Sequence, residues 1–410
     1  MKSAVFCLFL FLACRSVLAE SGKTFLSISK DFPQRLKVFL TGTGQKTEET
    51  SRLLFVLSRD LQYSGYFTVT TRDFQPPGAS NSRKLQAKAY DLFCLLHESG
   101  PRISVSVQET AGWETLFQKD YGRHEKAYRL AHQICDDLVL ALTGRPGIAC
   151  SRVCFIGNVK GIRQVYVVDY DGENLTPVTE TPENKTCPRW FRSGSDITCL
   201  VGTPSGEKPL RLTLPEKRAQ FLSEVCAAGP LVANPVYQEL VGVFCHQGNV
   251  ELYRFDLASQ LLQRLTFSRF IETSPCFSPD GEEIVFVSDR TGQAQLYVMN
   301  RTGANVRPLY LSSSNCFSPD WSPDGTILCF VLESSGKKNL GLFDFATRSV
   351  QVKPTSGEVE SPSWAPDSRH LVFTSKQSGK SKLVVLNIIS GESRLLVPES
   401  LGPFGAAWSR

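Results

Sequence analysis

Histidine is the commonest metal ligand and a frequent general base, so the five histidines are the first residues to test for chemistry. They are His97, His124, His132, His246 and His370. No pair has the His-Glu-x-x-His spacing of zinc peptidases, because Tyr128 stands where His124-Glu125 would need its second histidine. The spacing predicts no metal site, and we expect ordinary surface or half-buried histidines.

Other catalytic or ligand-binding motifs are incomplete. The chain has no Gly-x-Ser-x-Gly motif, which an α/β-hydrolase uses to expose its nucleophile. Residues Thr41 to Gly44 lie between strand-like and helix-like runs, but they lack the third glycine of a dinucleotide loop and the Gly-Lys-Ser/Thr of a Walker loop. Asp169 to Gly172 resembles the start of a calcium loop without its later glutamate. The sequence predicts no catalytic residue and no cofactor.

A turn motif recurs in the second half of the chain. It reads Ser278-Pro279-Asp280-Gly281, returns as Ser322 to Gly325, and returns again as Ala365 to Ser368. Serine and proline suit the first two positions of a type I turn, and glycine suits the last. Apolar runs flank each copy, which predicts a hairpin between antiparallel strands. The third copy ends in serine instead of glycine, so we expect some backbone strain there.

The residue before each turn defines a repeat. We assign this position to Trp190, Tyr237, Phe277, Trp321, Trp364 and Trp408, and subtraction of these numbers gives spacings of 47, 40, 44, 43 and 44 residues. Each repeat holds four short strands, which is typical of a β-propeller blade. Residues Ala406 to Ser409 supply the innermost strand that the first blade lacks. The sequence therefore predicts a six-bladed β-propeller over residues 147–410, closed by its C-terminal strand.

Residues 20–146 have a different pattern. Helix-like apolar faces at about 48–62 and 125–142 alternate with strand-like runs, and Gly144 and Pro146 end the second helix. This mixture predicts a small α/β domain before the propeller. The fold class is therefore mainly β with a small α/β domain.

Residues 1–19 have the pattern of a signal peptide cleaved near Ala19. The apolar run is too short to span a bilayer, and no later run does so. Lipidation at Cys14 is an alternative, although Phe11 fits a lipoprotein box poorly. Eleven of the thirteen cysteines follow Ala19 without zinc-site spacing, and we expect most to be small buried residues, although export would allow some to pair. The formal charge of +5 is spread along the chain, so nucleic-acid binding is not expected.

The repeats resemble those of the TolB family, the periplasmic propeller proteins of the Tol-Pal system. The resemblance rests on the Trp/Phe-Ser-Pro-Asp-Gly turns, the closing Ala-Trp-Ser strand, and the runs Val167 to Gly172 and Leu296 to Asn300. It implies a non-enzymatic periplasmic protein whose propeller binds the peptidoglycan-associated lipoprotein Pal. It also implies contact with the inner-membrane protein TolA through a short N-terminal segment. Lys23, Thr24 and Phe25 are the candidates in that segment. The implied role is outer-membrane integrity and constriction at division.

A propeller without catalytic motifs is expected to recognise partners through its loops. We expect the site on the face opposite the Ser-Pro-Asp-Gly turns, where the connections between blades and the turns between second and third strands meet. The candidates are Arg269, Phe270, Glu272, Thr273, Asp289, Arg290, Ser314, Glu358 and Glu360. A carbohydrate-binding propeller, or a lyase or hydrolase propeller, is the alternative. The former predicts paired aromatics on this face, and the latter predicts His, Asp or Glu clustered in the central channel.

Overall fold

Two compact units make up the chain, and they divide between Cys150 and Ser151. The computed structural model describes residues 35–44, 47–75, 89–122, 126–191, 194–214, 216, 218–246 and 248–410. The predicted signal peptide, Cys14 and the segment with Lys23, Thr24 and Phe25 lie outside the described residues. No helix in the described part of the chain is both long enough and apolar enough to cross a membrane.

The first unit is an α/β layer. Its sheet contains β1 (Leu36–Thr43), β2 (Phe67–Gln75), β3 (Leu92–Ser99), β4 (Arg102–Glu109) and β5 (Thr115–Gly122), in the order β2-β1-β3-β4-β5. β1 runs parallel to β2 and β3, and the remaining pairs are antiparallel.

Two helices pack against this sheet and against each other: α1 (Glu48–Tyr63) and α2 (Ala127–Thr143). The Thr47 hydroxyl caps α1 by accepting from the Thr50 N–H at 3.1 Å, which satisfies one of the free donors of the first turn. Gly144 ends α2 in the left-handed region with φ 69°, a conformation that glycine adopts without steric cost. The small α/β fold expected from the helical patterns is confirmed.

The second unit is a ring of six four-stranded antiparallel sheets. Blade one contains β6 (Arg152–Val159), β7 (Ile162–Asp169) and β8 (Thr176–Pro177). Blade two contains β9 (Lys185–Phe191), β10 (Asp196–Thr203), β11 (Gly206–Thr213) and β12 (Arg218–Phe221). Blade three contains β13 (Ala227–Ala233), β14 (Glu239–His246), β15 (Asn249–Asp256) and β16 (Leu262–Arg264).

The later blades follow the same order from the innermost strand outward. Blade four contains β17 (Glu272–Phe277), β18 (Glu283–Ser288), β19 (Gln295–Asn300) and β20 (Arg307–Tyr310). Blade five contains β21 (Asn315–Trp321), β22 (Ile327–Ser334), β23 (Lys337–Asp344) and β24 (Ser349–Lys353). Blade six contains β25 (Glu358–Trp364), β26 (His370–Gln377), β27 (Lys380–Asn387) and β28 (Ser393–Leu395), and a 3₁₀ turn (Glu399–Leu401) follows it.

The C-terminal strand β29 (Phe404–Trp408) closes the ring by pairing with β6 of blade one. The Trp408 indole N–H donates to the Ser151 hydroxyl at 2.7 Å, and the Trp408 backbone N–H donates to the Ser363 hydroxyl of blade six at 3.1 Å. Strands distant in sequence are therefore joined, and no blade edge is left open at the junction. The predicted six-bladed propeller and its closing strand are confirmed.

The repeated turns have the geometry that their residues predict. The Ser278 hydroxyl donates to Asp280 and accepts from the Glu283 N–H, and Gly281 has φ 74°. In blade six, Ser368 occupies the glycine position with φ 56°, so the expected left-handed serine is present. Its hydroxyl accepts from the Asp324 N–H of the preceding turn at 3.0 Å.

One repeat position assigned from the sequence is wrong. β13 ends at Ala233, and Tyr237 lies in the following turn. Val232 is the second paired residue after the bulge of β13, which is the position that Phe277 holds in β17. With Val232 in the series, the spacings become 42, 45, 44, 43 and 44 residues. Tyr237 matches the repeat by residue type alone, because it lies in the turn while a valine fills the aromatic position of this blade.

Each innermost strand carries a bulge. The residue before proline has a positive φ at four of these bulges, where Cys187, Ser274, Ser318 and Ser361 have φ of 50°, 52°, 47° and 48°. Proline has no N–H, so it suits a position that is missing from the hydrogen-bond ladder. In blades four to six, the first Ser-Pro therefore shapes the wall of the central channel, whereas the second Ser-Pro, or Ala-Pro in blade six, makes the turn.

Candidate protein-binding site

We call the candidate site the loop face: the end of the propeller formed by the connections between blades and the turns between second and third strands. In blade four, β17 starts at this end and runs towards the Ser278–Gly281 turn at the other end, the turn face. The antiparallel order repeats in every blade. Seven of the nine propeller candidates belong to strand ends or loops of the loop face, whereas Thr273 lies within β17 and Glu360 within β25.

The connections of the loop face are fixed by polar side chains at the start of the third strands. We call these side chains the clamp residues: Gln164, Lys208, Glu251, Gln295 and Lys382. Gln164 Nε2 donates to the Thr181 carbonyl at 2.6 Å. Gln295 donates to the Ser314 carbonyl at 2.9 Å and accepts from the Ser312 N–H at 2.7 Å.

The two lysine clamps act through ion pairs with the connections. Lys208 Nζ lies 2.5 Å from Glu224 Oε2, and Lys382 Nζ lies 2.8 Å from Glu399 Oε1. Five of the six connections are thus held by the blade that precedes them. A prearranged surface loses less conformational entropy on binding, so this arrangement suits recognition of a partner.

Arg269 and Phe270 are available for contact. Arg269 is exposed, and its guanidinium lies 5.2 Å from the centre of the half-buried Phe270 ring. Phe267, which the sequence candidates do not include, is 77 % exposed on the same connection, and Ile271 is 51 % exposed. Exposed aromatic and aliphatic side chains beside an arginine are typical of protein-binding surfaces.

Glu272 and Arg290 bind each other, whereas a contact role would need both side chains to face a partner. The Glu272 side chain is fully buried, and its Oε1 accepts from the Arg290 guanidinium at 2.9 Å and from the Ser268 and Ser288 hydroxyls. Burial raises the pKa of the Glu272 carboxyl, and these donors oppose the increase. Glu272 therefore holds the loop in place rather than presenting a carboxylate to solvent.

Among the remaining candidates, some side chains are exposed and others already bind residues of the propeller. Asp289 is half-buried and accepts from the Ile271 N–H at 2.9 Å. Glu360 lies 2.8 Å from Lys376 in an ion pair, and Glu358 is exposed. Ser314 is half-buried, and its carbonyl accepts from clamp residue Gln295. Half-buried Thr273 pairs with Val287 in the sheet.

The central channel holds a cavity of about 900 Å³ lined by the innermost strands of all six blades. Its charged lining residues are Arg189, Asp320 and Arg410. Arg410 is ion-paired with Asp320, whose Oδ2 also accepts from the Trp364 N–H at 2.8 Å. Among the described residues of this lining there is no histidine and only one acid. The cluster that a lyase or hydrolase propeller would need is not formed there.

Two histidines are more buried than expected from the sequence. His132 lies on α2 and contacts Asp60 of α1 at 2.6 Å, and His370 contacts Asp367 at 2.6 Å. Both imidazoles are about 4 % exposed. Burial alone would raise the pKa of Asp367, but the His370 charge and hydrogen bonds lower it below its ordinary value. A carboxylate at hydrogen-bond distance offsets part of the cost of burying each imidazole, and the expectation of surface or half-buried histidines is wrong at both positions.

The runs that resembled ligand-binding motifs form a strand and a turn. Thr41 to Thr43 continue β1, and the Thr43 hydroxyl contacts His97 at 3.0 Å. Asp169 to Gly172 belong to the turn between β7 and β8, where the Gly172 N–H donates to the Asp169 carbonyl at 3.0 Å.

Comparison with known proteins identifies the family. Residues 139–410 match the model of the TolB beta propeller domain, which covers well over half of the chain. The chain belongs to the TolB family. A TolB homolog of Chlorobium chlorochromatii is 32 % identical over 288 residues, which are 66 % of this chain and 62 % of that protein. The Tol-Pal system protein TolB of Geobacter metallireducens is 28 % identical over 195 residues, which are 44 % of this chain and 43 % of that protein. The chain thus covers less than two thirds of either relative.

The fold has a close counterpart among solved TolB structures. The crystal structure of TolB from Acinetobacter baumannii matches 92 % of this chain and 97 % of its own, with a TM-score of 0.79 and 19 % identity. At this identity the likeness concerns the fold, including an α/β unit and a propeller. It agrees with the family assignment.

Proposed function

We propose that this chain is a non-enzymatic propeller component of the Tol-Pal system, exported to the periplasm after cleavage near Ala19. In this proposal the loop face binds a Pal-like peptidoglycan-associated lipoprotein. TolB family membership supports the system, and a relative carries the name Tol-Pal system protein TolB. The observation that carries the binding site is the set of clamp residues, which fix exposed side chains on one face. The role is outer-membrane integrity and constriction at cell division.

The binding test uses the mature chain, residues 20–410, and the purified soluble domain of the Pal-like lipoprotein from the same organism. We expect saturable binding by surface plasmon resonance, and weaker binding when Arg269 is replaced by glutamate. The control is Arg348→Glu, which makes the same charge change on an exposed turn-face residue. The proposal fails if the unaltered chain binds no better than an unrelated propeller, or if the two variants are weakened equally.

A second partner, a TolA-like inner-membrane protein, would be bound through residues 20–29, with Lys23, Thr24 and Phe25 as its contacts. Export would leave this segment at the start of the mature chain, where a partner can reach it without disturbing the propeller. Deletion of residues 20–29 should abolish binding to the periplasmic domain of the TolA-like protein and leave Pal-like binding unchanged. Equal TolA-like binding before and after the deletion would refute this assignment.

A further inference from the structure

The connection between β16 and β17, residues Leu265 to Ile271, is held by three acidic side chains, and we call it the blade-four entry loop. Clamp residue Glu251 is fully buried beneath it. Its carboxylate accepts from the Arg264 guanidinium at 2.7 Å, from the Ser268 N–H at 2.9 Å and from the Thr266 hydroxyl at 2.5 Å. One buried carboxylate therefore fixes both the backbone and the side chains of this loop.

A second buried carboxylate holds the far end of the loop. Glu272 accepts from the Ser268 hydroxyl at 2.8 Å, and Ser268 in turn accepts from the Phe270 N–H at 3.1 Å. Asp289 of the neighbouring turn accepts from the Ile271 N–H at 2.9 Å. Each of the three acids that contact the loop thus accepts a hydrogen bond from the loop through at least one carboxylate oxygen.

The outward side of the loop is apolar and basic. Phe267 is 77 % exposed and Ile271 is 51 % exposed, although both are large apolar side chains. The Arg264 guanidinium, which is fixed by Glu251 and by the Thr266 carbonyl, lies 4.7 Å from the centre of the Phe267 ring. An aromatic side chain supported in this way can contact a partner at a low cost in conformational entropy.

Arg269 is the charged side chain of the loop that is available to bind a partner. It is exposed, and none of the carboxylates that the structure describes lies within ion-pair distance of it. Its described contact is the ring of Phe270 at 5.2 Å. The loop therefore presents Phe267, Arg269 and Ile271 to solvent, while Glu251 and Glu272 are buried.

We infer that the blade-four entry loop is the main anchor for the lipoprotein, and that it binds an acidic segment carrying an apolar side chain. Phe267 and Ile271 supply the apolar contact, and Arg269 pairs with a carboxylate of the partner. Glu251 and Glu272 are positioning residues that keep the loop in its binding conformation. This inference rests on the proposed function, since the partner is a Pal-like lipoprotein.

The test compares three single variants, Phe267→Ala, Ile271→Ala and Arg269→Glu, with two controls from the turn face. Leu261→Ala removes an apolar side chain that is 67 % exposed between β15 and β16, and Arg348→Glu reverses an exposed charge. Binding of the soluble Pal-like domain is measured by calorimetry at low and high salt. All five variants should unfold within about 2 °C of the unaltered chain, because exposed side chains contribute little to stability.

Each entry-loop variant should weaken binding by about tenfold or more, as expected for a side chain at the centre of an interface. The loss caused by Arg269→Glu should shrink as salt screens the charge pair, whereas the loss caused by Phe267→Ala should not. The controls should bind within about twofold of the unaltered chain, since their side chains lie at the other end of the blades.

The outcomes separate the two proposals. If the unaltered chain binds the lipoprotein and the three variants bind as tightly as the controls, the anchor is elsewhere and this inference fails while the proposed function stands. If the unaltered chain does not bind, the proposed function fails and the anchor assignment falls with it. A loss that is equal at both salt concentrations for Arg269→Glu would overturn the acidic character of the partner.

Discussion

Glu272 shows how one residue on a loop face can serve structure instead of contact. Its Oε1 accepts from Ser268, Ser288 and Arg290, whereas its buried Oε2 has no hydrogen-bond partner among the described residues. An incompletely satisfied buried carboxylate costs free energy when it is charged. Burial accordingly raises the pKa of Glu272, against the opposing effect of its donors.

A raised pKa gives Glu272 a defined effect on stability. The folded state binds the proton more tightly than the unfolded state, so protonation of Glu272 favours folding as pH falls through the folded-state pKa. Glu272→Gln removes this titration. We expect the free energy of unfolding of the unaltered chain to rise relative to Glu272→Gln as pH falls from about 7.5 to about 4.5.

Urea unfolding of both proteins, followed by tryptophan fluorescence at several pH values, measures this difference. The surface substitution Glu358→Gln serves as a control, because Glu358 is exposed and its replacement should give no such trend. A difference between the unaltered chain and Glu272→Gln that stays constant or falls towards acid pH would contradict the assignment.

Among the structural elements, the blade-six turn departs most clearly from its repeat. Ser368 has φ 56° where Gly281 and Gly325 have φ of 74° and 75°. A non-glycine residue in this region costs about 1 kcal/mol, and the hydrogen bond from the Asp324 N–H to the Ser368 hydroxyl offsets a similar amount. The serine therefore adopts a strained backbone conformation and gains a hydrogen bond that links two turns.

Two substitutions separate these contributions. Ser368→Ala keeps the strain and loses the link, so it should lower the free energy of unfolding by about 1 kcal/mol. Ser368→Gly loses both, so it should be within about 0.5 kcal/mol of the unaltered chain. Thermal unfolding of the two variants checks the order. If Ser368→Ala is as stable as Ser368→Gly, the link between the turns contributes nothing.

The elements were predictable where local residues determine them. The hairpin of blade four was predictable, because the Ser278–Gly281 turn and the apolar runs on either side of it mark where β17 ends and β18 begins. The clamp residues were not predictable, since glutamine, lysine and glutamate share a position but no motif. The sequence predicts Glu272 as a contact residue, because a charged residue at a loop boundary is usually exposed. Its burial depends on Arg290 and two serines, which only the tertiary structure brings together.

At the scale of the whole molecule, stability depends on how the ring is closed. β29 pairs with β6, and the Ser409 N–H and hydroxyl bond to the backbone of Arg152 at 2.8 Å each. Trp408 is 2 % exposed and links blade one to blade six. Removal of this strand would expose an edge of β6 and leave the apolar side of blade one uncovered, which favours aggregation.

Deletion of residues 404–410 should therefore lower the unfolding temperature more than Trp408→Ala does. The point substitution removes one buried side chain and costs about 3–5 kcal/mol, but it keeps the backbone pairing of β29 with β6. A synthetic peptide of residues 404–410, added to the truncated protein, should restore part of the lost stability by adding the missing strand. A peptide of the same composition in scrambled order is the control, because it cannot place tryptophan against Ser151 and Ser363. If the truncated chain unfolds at the same temperature as the full chain, or if both peptides act equally, the closing strand does not carry the stability assigned to it.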